Sequence, residues 1–250
     1  MSAGAKQKAG SRKAPGRIRQ AVILAGGAGR RLAPFTDVLP KPLMPVGERP
    51  IIDILTHQLA RSGIREIVIA LGAGAKLIKL FLGDGSALGV GIRYVIEKTP
   101  LGTAGPLRRI DKLDEQFLVL NGDLLTDIDF AEFARTHVAS GALATIAVCK
   151  RRERADFGVV ISKNGRVTEY KEKPIRSFEV SMGIYAFSRE IIEHIPKGRF
   201  DFPELVFSLL KRGIHPHAYK FSGSWLDIGR EEDWRRAAKA LARSPRKYLK

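Results

Sequence analysis

The most restrictive feature of this sequence is an alternation between short apolar runs and longer segments with helical spacing. The short runs predict strands at residues 21–24, 67–71, 92–96, 117–120 and 143–148. The longer segments predict helices at residues 51–62, 76–82, 103–113 and 130–140. Parallel strands need a crossover connection, and a helix is the usual one. We therefore expect an α/β fold with a mixed, mainly parallel sheet flanked by helices.

The pattern changes in the second half of the chain. Two segments that are typical of strands, 159–162 and 166–170, flank the dipeptide Asn164-Gly165, which strongly favours a β-hairpin. We therefore expect antiparallel strands added over one face of the sheet. The remaining pattern predicts a helix at residues 203–212, a strand at 218–221 and a terminal helix at 231–243.

Basic residues are concentrated at the two ends of the chain. The formal net charge is +17 over 250 residues, and 44% of the residues are hydrophobic, which suffices for one domain with a buried core. We expect a flexible basic tail at residues 1–18, one domain at 19–243 and a basic C-terminal tail at 244–250. The charge permits two interpretations, namely solvated, partly disordered ends or weak binding to anionic partners. The sequence has neither zinc-finger spacing nor an aromatic RNA-binding signature, so no specific nucleic acid partner is expected.

Targeting and membrane segments are also absent from the sequence. No apolar run is long enough for a transmembrane helix, and no secretory signal is recognisable at the N-terminus. Cys149 is the single cysteine and cannot form an internal disulfide, which fits a reducing compartment. We therefore expect a cytoplasmic protein with no membrane partner.

A glycine-rich turn follows the first apolar run directly. Gly26, Gly27 and Gly29 would let the backbone approach a phosphate group and direct N–H groups toward it. The segment lacks the Gly-Lys-Ser/Thr ending of a Walker loop and matches the dinucleotide-binding fingerprint poorly. A simple tight turn is the alternative. Two cations, Arg31 and Lys41, lie on the proline-rich loop that follows, where they could offset charge at a reacting phosphorus centre.

Two aspartates are candidates for holding a metal ion. Asp123 ends the predicted strand at 117–120, and ligands collect at the carboxyl ends of parallel strands. A turn or helix-capping aspartate is the alternative for this residue. Asp227 lies far along the chain in Trp225-Leu226-Asp227-Ile228-Gly229. One carboxylate alone holds Mg²⁺ weakly, whereas two carboxylates together with phosphate oxygens can hold it.

These motifs occur in an order that resembles a known family. Residues 23–46, ILAGGAGRRLAPFTDVLPKPLMPV, resemble the signature of the sugar nucleotidylyltransferases, and the resemblance continues to about residue 235. It implies a Rossmann-like fold with an added antiparallel sugar-binding subregion. It also implies a Mg²⁺-dependent enzyme that joins a nucleoside triphosphate to a sugar 1-phosphate and releases pyrophosphate. Those two substrates are the expected partners, and a homo-oligomer remains open.

The resemblance also implies a role for each matching residue. The implied catalytic residues are Arg31, Lys41 and Lys173. The implied nucleotide-binding residues are Leu24, Ala25, Gly26, Gly27, Gly29, Gly102 and Thr103. The implied sugar-phosphate-binding residues are Gly158, Glu172, Lys173, Gly183 and Trp225, and the implied metal ligands are Asp123 and Asp227. Taken without the family, Thr103 is equally a helix cap, and Trp225 is a core residue.

The sequence constrains the base of the nucleotide and the sugar of the sugar 1-phosphate less than it constrains the reaction. The form of residues 101–106, Leu-Gly-Thr-Ala-Gly-Pro, looks like that of GDP-mannose pyrophosphorylases, so guanine is the first choice and uracil or thymine the alternative. Ser181 stands where many relatives carry asparagine, which leaves the sugar open between mannose-, heptose- and glucose-type molecules. A non-catalytic regulatory relative is a further alternative, but such a protein is expected to lose Arg31, Lys41, Asp123 or Asp227. All four are present.

Overall fold

The computed structural model describes residues 17–27, 29–72 and 74–249. Most of the N-terminal tail predicted at residues 1–18 therefore lies outside the described residues. Within them, no helix combines the length and the apolar character that a membrane span requires.

The strands and helices that form the structure are numbered in chain order. The strands are β1 (Gln20–Ala25), β2 (Pro45–Val46), β3 (Arg49–Pro50), β4 (Glu66–Leu71), β5 (Gly91–Ile96), β6 (Gln116–Asn121), β7 (Leu124–Thr126), β8 (Ala144–Arg154), β9 (Val159–Lys163), β10 (Arg166–Lys171), β11 (Ile175–Ser188), β12 (His217–Phe221) and β13 (Trp225–Asp227). The α-helices are α1 (Phe35–Val38), α2 (Ile51–Arg61), α3 (Ala75–Leu82), α4 (Phe130–Ser140), α5 (Phe202–Lys211), α6 (Glu231–Arg243) and α7 (Pro245–Tyr248). Short 3₁₀ turns lie at Arg30–Leu32, Lys41–Leu43, Ser86–Leu88, Gly105–Arg109 and Arg189–His194.

Seven strands form the central sheet in the order β12-β8-β11-β6-β1-β4-β5. β1 lies between β4 and β6 and runs parallel to both. β11 is antiparallel to its neighbours β6 and β8, whereas β12 is parallel to β8. The prediction of a mixed, mainly parallel, Rossmann-like sheet is therefore confirmed. All the parallel strands end at the same edge, so the loops that follow them meet there.

The sheet is buried on both faces. Neighbouring residues of β1 point to opposite faces, so that Ile23 packs into one apolar cluster and Val22 into the other. The first cluster is covered by α2, which buries Ile51 and Leu55, and the second includes Leu205 of α5. Burial on both faces explains why the parallel strands are read as continuous apolar runs in the sequence.

Two departures from the sequence prediction concern the second half of the sheet. The β9–β10 hairpin forms around Asn164-Gly165 as predicted. The antiparallel addition, however, does not simply lie over one face, because β11 is inserted into the central sheet between β6 and β8. In addition, β8 continues beyond the predicted 143–148 as far as Arg154, since its second half pairs with the first half of β11 from Ile175 onward.

The helix predicted at residues 103–113 is wrong. Only a 3₁₀ turn forms there, at Gly105–Arg109. The N–H groups of Ala104 and Gly105 both donate to the carbonyl oxygen of Phe200, each at 2.9 Å, and so they bond to another segment instead of starting a helix. Proline at position 106 and glycines on both sides of Thr103 also disfavour a regular helix.

The C-terminal residues pack against the domain. Tyr248 is 3% exposed and belongs to the first apolar cluster. Its carbonyl oxygen accepts a hydrogen bond from Nε2 of Gln58 on α2 at 2.9 Å. Residues 245–249 are therefore fixed on the domain, in contrast to the solvated end that their basic composition suggested.

A buried histidine connects α4 to the sheet. His137 is fully buried, and its Nδ1 lies 2.8 Å from Oγ1 of Thr145 on β8. Its Nε2 has no hydrogen-bond partner within the described part of the chain. Burial, together with nearby His217, lowers the pKa of His137 from 6.5 to about 4.

This buried histidine predicts a stability that falls in mild acid. Below pH 6.5 the unfolded chain binds a proton at His137, whereas the folded protein does not bind it until about pH 4. We expect this residue to lower the free energy of unfolding by about 2 kcal/mol between pH 7 and pH 5. Urea unfolding at the two pH values measures the effect.

The variant His137→Gln cannot titrate and should lose that part of the pH dependence. His215→Gln, at an exposed histidine, is the matched control and should keep it. An unchanged pH dependence in His137→Gln would show that the histidine is not responsible.

Candidate functional site

A cavity of about 290 Å³ opens at the carboxyl ends of β1 and β6. Its lining residues come from the glycine-rich turn, the proline-rich loop and the turn after β6. They are Leu24, Ala25, Gly27, Gly29, Arg30, Arg31, Lys41, Pro42, Gly122, Asp123 and Gly229. Segments that are distant in sequence therefore meet at the edge of the sheet where ligands are expected.

A larger cavity of about 520 Å³ lies elsewhere, beside α4. Its lining is mainly apolar and includes Ile18, Phe130 and Ala134. Of the described residues, none that was predicted to be functional lines it. We therefore place the candidate site at the smaller cavity, where the charged groups are.

The glycine-rich turn brings the two predicted cations together. Gly29 has φ +65°, a backbone conformation that side-chain-bearing residues rarely adopt. A Cβ atom at Gly29 would come within 3.1 Å of Cβ of Lys41 and within 3.0 Å of Cγ2 of Thr36. The hydroxyl of Thr36 also donates to the carbonyl oxygen of Gly29 at 3.0 Å. The proline-rich loop is thereby folded back against the turn that carries Arg31.

The ammonium group of Lys41 forms an ion pair with Oδ2 of Asp123. Both side chains are mostly buried, with 11% and 22% of their surface exposed, so solvent screens the pair less than it would screen a surface pair. The second carboxylate oxygen of Asp123, Oδ1, is buried and has no hydrogen-bond partner among the described residues. Since buried polar atoms are normally paired, this free oxygen is suited to a ligand.

Asp227 lies on the strand next to this pair. β13 pairs with β7 so that Asp227 is opposite Leu124, and the N–H of Ile228 donates to the carbonyl oxygen of Asp123 at 2.9 Å. Burial raises the pKa of Asp227, and the negative charge of Asp123 raises it further, while Lys41 and Arg31 act in the opposite direction. The two aspartates therefore interact electrostatically in one site, although they are far apart in sequence.

This arrangement is compatible with a hard divalent cation. Two carboxylates raise each other's proton affinity, and a shared cation relieves their repulsion. Within the described ranges, no cluster of three or more His, Cys, Asp or Glu side chains is arranged to hold a metal. Asp123 and Asp227 alone would thus leave coordination positions for phosphate oxygens and water, which is the usual situation for Mg²⁺.

Glu97 is a candidate functional residue that the sequence prediction missed. It follows β5 at the same edge of the sheet. Its Oε2 accepts from the N–H of Leu101 at 3.0 Å, and a Cβ atom on Gly26 would lie 2.9 Å from its Oε1. Burial raises the pKa of Glu97, and the hydrogen bond from Leu101 opposes the shift. An acidic residue directly after a parallel strand was the signal that could have found it.

The segment with Gly102 and Thr103 is held by a different partner. Both the N–H and the hydroxyl of Thr103 donate to Oδ1 of Asp201, at 2.8 and 3.2 Å. The hydroxyl of Thr103 also accepts from the N–H of Phe202 at 2.8 Å, and so it caps α5 and not a helix of its own segment. Asp201 was likewise missed from the sequence, because its position 98 residues away gives no local signal.

On the other side of β6, the predicted sugar-site residues Gly183 and Trp225 lie near the carboxyl end of that strand. The indole Nε1 of Trp225 donates to the carbonyl oxygen of Met182 at 2.9 Å. A Cβ atom on Gly183 would lie 2.6 Å from Nδ2 of Asn121, the residue that ends β6. Ser181 contacts the hydroxyl of Tyr185 at 3.1 Å. Gly183 and Trp225 are therefore brought to this end of the sheet.

The remaining predicted residues lie on the exposed β9–β10 hairpin and the residues beside it, 157–174, which we call the hairpin arm. The hydroxyl of Tyr170 donates to Oε2 of Glu172 at 2.8 Å, and Gly158 packs against the same hydroxyl. Lys173 has φ +43°, which is uncommon for a residue with a side chain. In the described part of the chain, neither Gly158, Glu172 nor Lys173 lines the cavity. The structure thus gathers two of the three predicted cations, and the role of Lys173 stays a prediction.

The comparison with known proteins agrees with this geometry. The family described as Nucleotidyl transferase matches residues 20–244. The chain belongs to the nucleotidyl transferase family. The match begins at β1 and ends just after α6, and so it includes every residue placed above around the cavity.

Similar proteins within this family act on different substrates according to their names. A UTP–glucose-1-phosphate uridylyltransferase from Synechocystis sp. is 33% identical over 248 residues, covering 89% of this chain and 63% of that relative. A mannose-1-phosphate guanyltransferase from Neurospora crassa is 33% identical over 225 residues, covering 86% of this chain and 62% of that relative. The chain thus spans less than two thirds of the length of these curated relatives.

A solved structure shares most of this architecture. HddC from Yersinia pseudotuberculosis, crystallised in complex with GMP-PN, has a TM-score of 0.70 and 26% sequence identity to this chain. The similarity covers 90% of this chain and 100% of HddC.

The Lys41–Asp123 pair predicts how this nucleotidyl transferase family member binds a free divalent cation. Lys41→Met removes a positive charge beside the two carboxylates, so we expect the affinity for Mn²⁺ to rise about tenfold or more without nucleotide. Titration of Mn²⁺ followed by electron paramagnetic resonance measures it. Lys220→Met is the control and should leave the affinity unchanged. It removes a lysine of β12 that is paired with Glu179 of β11. Equal Mn²⁺ affinity in Lys41→Met and wild type would contradict the assignment.

Proposed function

We propose that this protein transfers a nucleotide from a nucleoside triphosphate to a sugar 1-phosphate, releases pyrophosphate and depends on Mg²⁺. The observation that carries the proposal is the ion pair of Lys41 and Asp123 in the cavity beside a glycine-rich turn, with Asp227 close enough to interact electrostatically with both. Membership of the nucleotidyl transferase family and the names of the similar proteins support it.

The reaction needs no nucleophile from the protein. An oxygen of the sugar phosphate, already an anion at neutral pH, forms a bond to the α-phosphorus, and the bond from that phosphorus to the bridging oxygen of pyrophosphate breaks. Negative charge builds on the equatorial and leaving oxygens, where the cations Arg31 and Lys41 would offset it. Catalysis thus consists of orienting two anionic substrates and stabilising the charge that develops.

Asp123 and Asp227 are the residues that would hold Mg²⁺, and the bound ion would neutralise phosphate oxygens of the nucleotide. The free Oδ1 of Asp123 supports this assignment. Lys41 neutralises Asp123 in its place when no ligand is bound. When the triphosphate arrives, the ammonium group of Lys41 would exchange the carboxylate for a phosphate oxygen.

We propose that the sugar phosphate binds at the hairpin arm and at the part of β11 around Gly183. Glu172 would accept hydrogen bonds from sugar hydroxyls, and Lys173 would screen the repulsion between the two phosphates. Gly158, Gly183 and Trp225 would form the surface of the sugar pocket. The family resemblance supports these five roles, and the position of Gly183 beside Asn121, with Trp225 bonded to the neighbouring Met182, agrees with them.

The environment of Glu97 favours guanine as the base. Guanine presents two adjacent donors on its Watson–Crick edge, N1–H and N2–H₂, and an ionised carboxylate only accepts hydrogen bonds. Uracil and thymine present one donor between two acceptors, which suits an amide better. The similar mannose-1-phosphate guanyltransferases and the HddC complex with GMP-PN agree with this choice. A mannose- or heptose-type sugar 1-phosphate is therefore our first candidate, and a UTP- or dTTP-dependent enzyme for a glucose-type sugar is the second.

A matrix of nucleoside triphosphates and sugar 1-phosphates, followed by pyrophosphate release, tests this function. We expect turnover for at least one pair, highest with GTP, and a loss of about 100-fold or more in Asp123→Ala. Asp111→Ala, at an exposed aspartate outside the cavity lining, should keep full turnover. No turnover with any pair would point to a regulatory relative, and full turnover in Asp123→Ala would refute the metal assignment.

Glu97→Gln tests the choice of base. The amide replaces one acceptor with a donor and so should disfavour guanine, because a site built for hydrogen bonds rejects a base that leaves them unmade. We expect kcat/KM for GTP to fall about tenfold or more relative to UTP. Glu115→Gln, the same change at an exposed glutamate outside the cavity lining, is the matched control and should leave the ratio of GTP to UTP unchanged. An unchanged GTP to UTP ratio in Glu97→Gln would exclude Glu97 as the base-selecting residue.

A further inference from the structure

The segment from Leu101 to Gly105 is held in place mainly by another part of the chain. The N–H groups of Ala104 and Gly105 both donate to the carbonyl oxygen of Phe200, and the N–H of Phe200 donates to the carbonyl oxygen of Leu101, each at 2.9 Å. This segment contains Gly102 and Thr103, for which the family resemblance implies contacts with the nucleotide. We call it the base loop.

Asp201 makes the side-chain part of this connection. Its Oδ1 accepts from both the N–H and the hydroxyl of Thr103, at 2.8 and 3.2 Å. Gly102, with φ +78°, lies so close that a Cβ atom there would be 2.7 Å from the same oxygen. One carboxylate oxygen of Asp201 therefore fixes the centre of the base loop.

Asp201 itself is held rigidly. It is the N-cap of α5, and its N–H donates to Oε2 of Glu204 at 2.7 Å in a capping box. The next residue, Phe202, is buried. Its ring packs against the ring of Tyr185 on β11, and the two ring centroids are 4.3 Å apart. The anchor of the base loop is thus a helix start packed into the second apolar cluster.

The side chain of Ala104 is buried in the second apolar cluster, but Gly102 and Thr103 depend on Asp201. The base loop forms no α-helix, and both the N–H and the hydroxyl of Thr103 bond to Asp201. On its other side, Glu97 accepts one hydrogen bond from Leu101. A loop without its own regular structure has to be ordered on binding unless it is fixed beforehand, and that ordering lowers affinity.

We propose that Asp201 is a positioning residue for the nucleotide base: it acts through Thr103 to keep the base loop in its binding conformation. This inference rests on the proposed function, because it takes the base loop as part of the nucleotide site. Asp201 would not touch the reacting atoms. Its loss should weaken binding of the nucleoside triphosphate and leave the chemical step and the sugar 1-phosphate largely unaffected.

Three variants separate positioning from helix stability. Asp201→Ala removes the acceptor for Thr103, and Asp201→Asn keeps an acceptor oxygen in the same place. Glu204→Ala removes the other half of the capping box and has no contact with the base loop among the described hydrogen bonds. It therefore reports what loss of the α5 cap alone does.

We expect Asp201→Ala to raise the KM for the nucleoside triphosphate about tenfold, with kcat and the KM for sugar 1-phosphate within about threefold of wild type. Asp201→Asn should restore most of the affinity, and Glu204→Ala should lower Tm without a comparable rise in KM. A nucleotide KM within twofold of wild type in Asp201→Ala, or an equal rise in Glu204→Ala, would overturn the proposal.

Two additional measurements keep the test decisive. If Asp201→Ala fails to fold, Thr103→Val, which removes the hydroxyl bonds to Asp201 and Phe202 and keeps the N–H bond to Asp201, should raise the KM severalfold, and an unchanged KM would overturn the proposal. If the wild type releases no pyrophosphate with any substrate pair, the proposed function fails. Isothermal titration calorimetry of GTP with wild type and Asp201→Ala then tests the positioning role by itself, and equal affinities would overturn it.

Discussion

The ion pair between Lys41 and Asp123 is the interaction on which the candidate site depends. It joins a residue of the proline-rich loop to the turn after β6, and both side chains are mostly withdrawn from water. Breaking such a pair by removing one partner leaves a partly buried charge without compensation. With Asp227 on the adjacent strand, a second carboxylate adjoins the pair, and Arg31 also acts on it. It is therefore prepared to exchange Lys41 for a divalent cation that arrives with phosphate oxygens.

The sheet determines that these groups meet. β1 lies between β4 and β6, so the turns that follow β1 and β6 are neighbours at one edge. The glycine-rich turn lines the site with its backbone, and the turn after β6 contributes Asp123. Asp227 is distant in sequence and reaches the site because β13 pairs with β7. Insertion of antiparallel β11 beside β6 brings Gly183 to the same end. In the proposed function, β1 and the base loop would form the nucleotide side of the site, and β11 and the hairpin arm would form the sugar side.

The parts of this structure that depend on local pattern could be predicted from the sequence. The buried parallel strands follow from their apolar runs, and α4 has the predicted bounds, because the N-cap at Asp129 and Gly141 after its last residue are local signals.

The errors in the prediction occur where contacts between distant parts of the chain determine the structure. The helix expected at 103–113 gives way to bonds with Phe200, and the second half of β8 is a strand because β11 pairs with it. Asp201 was missed for the same reason, since its partner Thr103 is 98 residues away, whereas Glu97 was missed although its place directly after β5 was a local signal. The meeting of Asp123 and Asp227 was expected only from the family resemblance and is now supported by strand pairing.

The central claim is that Asp123 and Asp227 share one cation and that Lys41 occupies its place beforehand. A crystal structure with Mn²⁺ and a non-hydrolysable nucleoside triphosphate tests this most directly, since anomalous scattering locates the ion. We predict one anomalous peak coordinated by both carboxylates, with the ammonium group of Lys41 moved from Asp123 to a phosphate oxygen. An ion bound away from either carboxylate, or Lys41 still paired with Asp123 beside the bound ion, would contradict the claim.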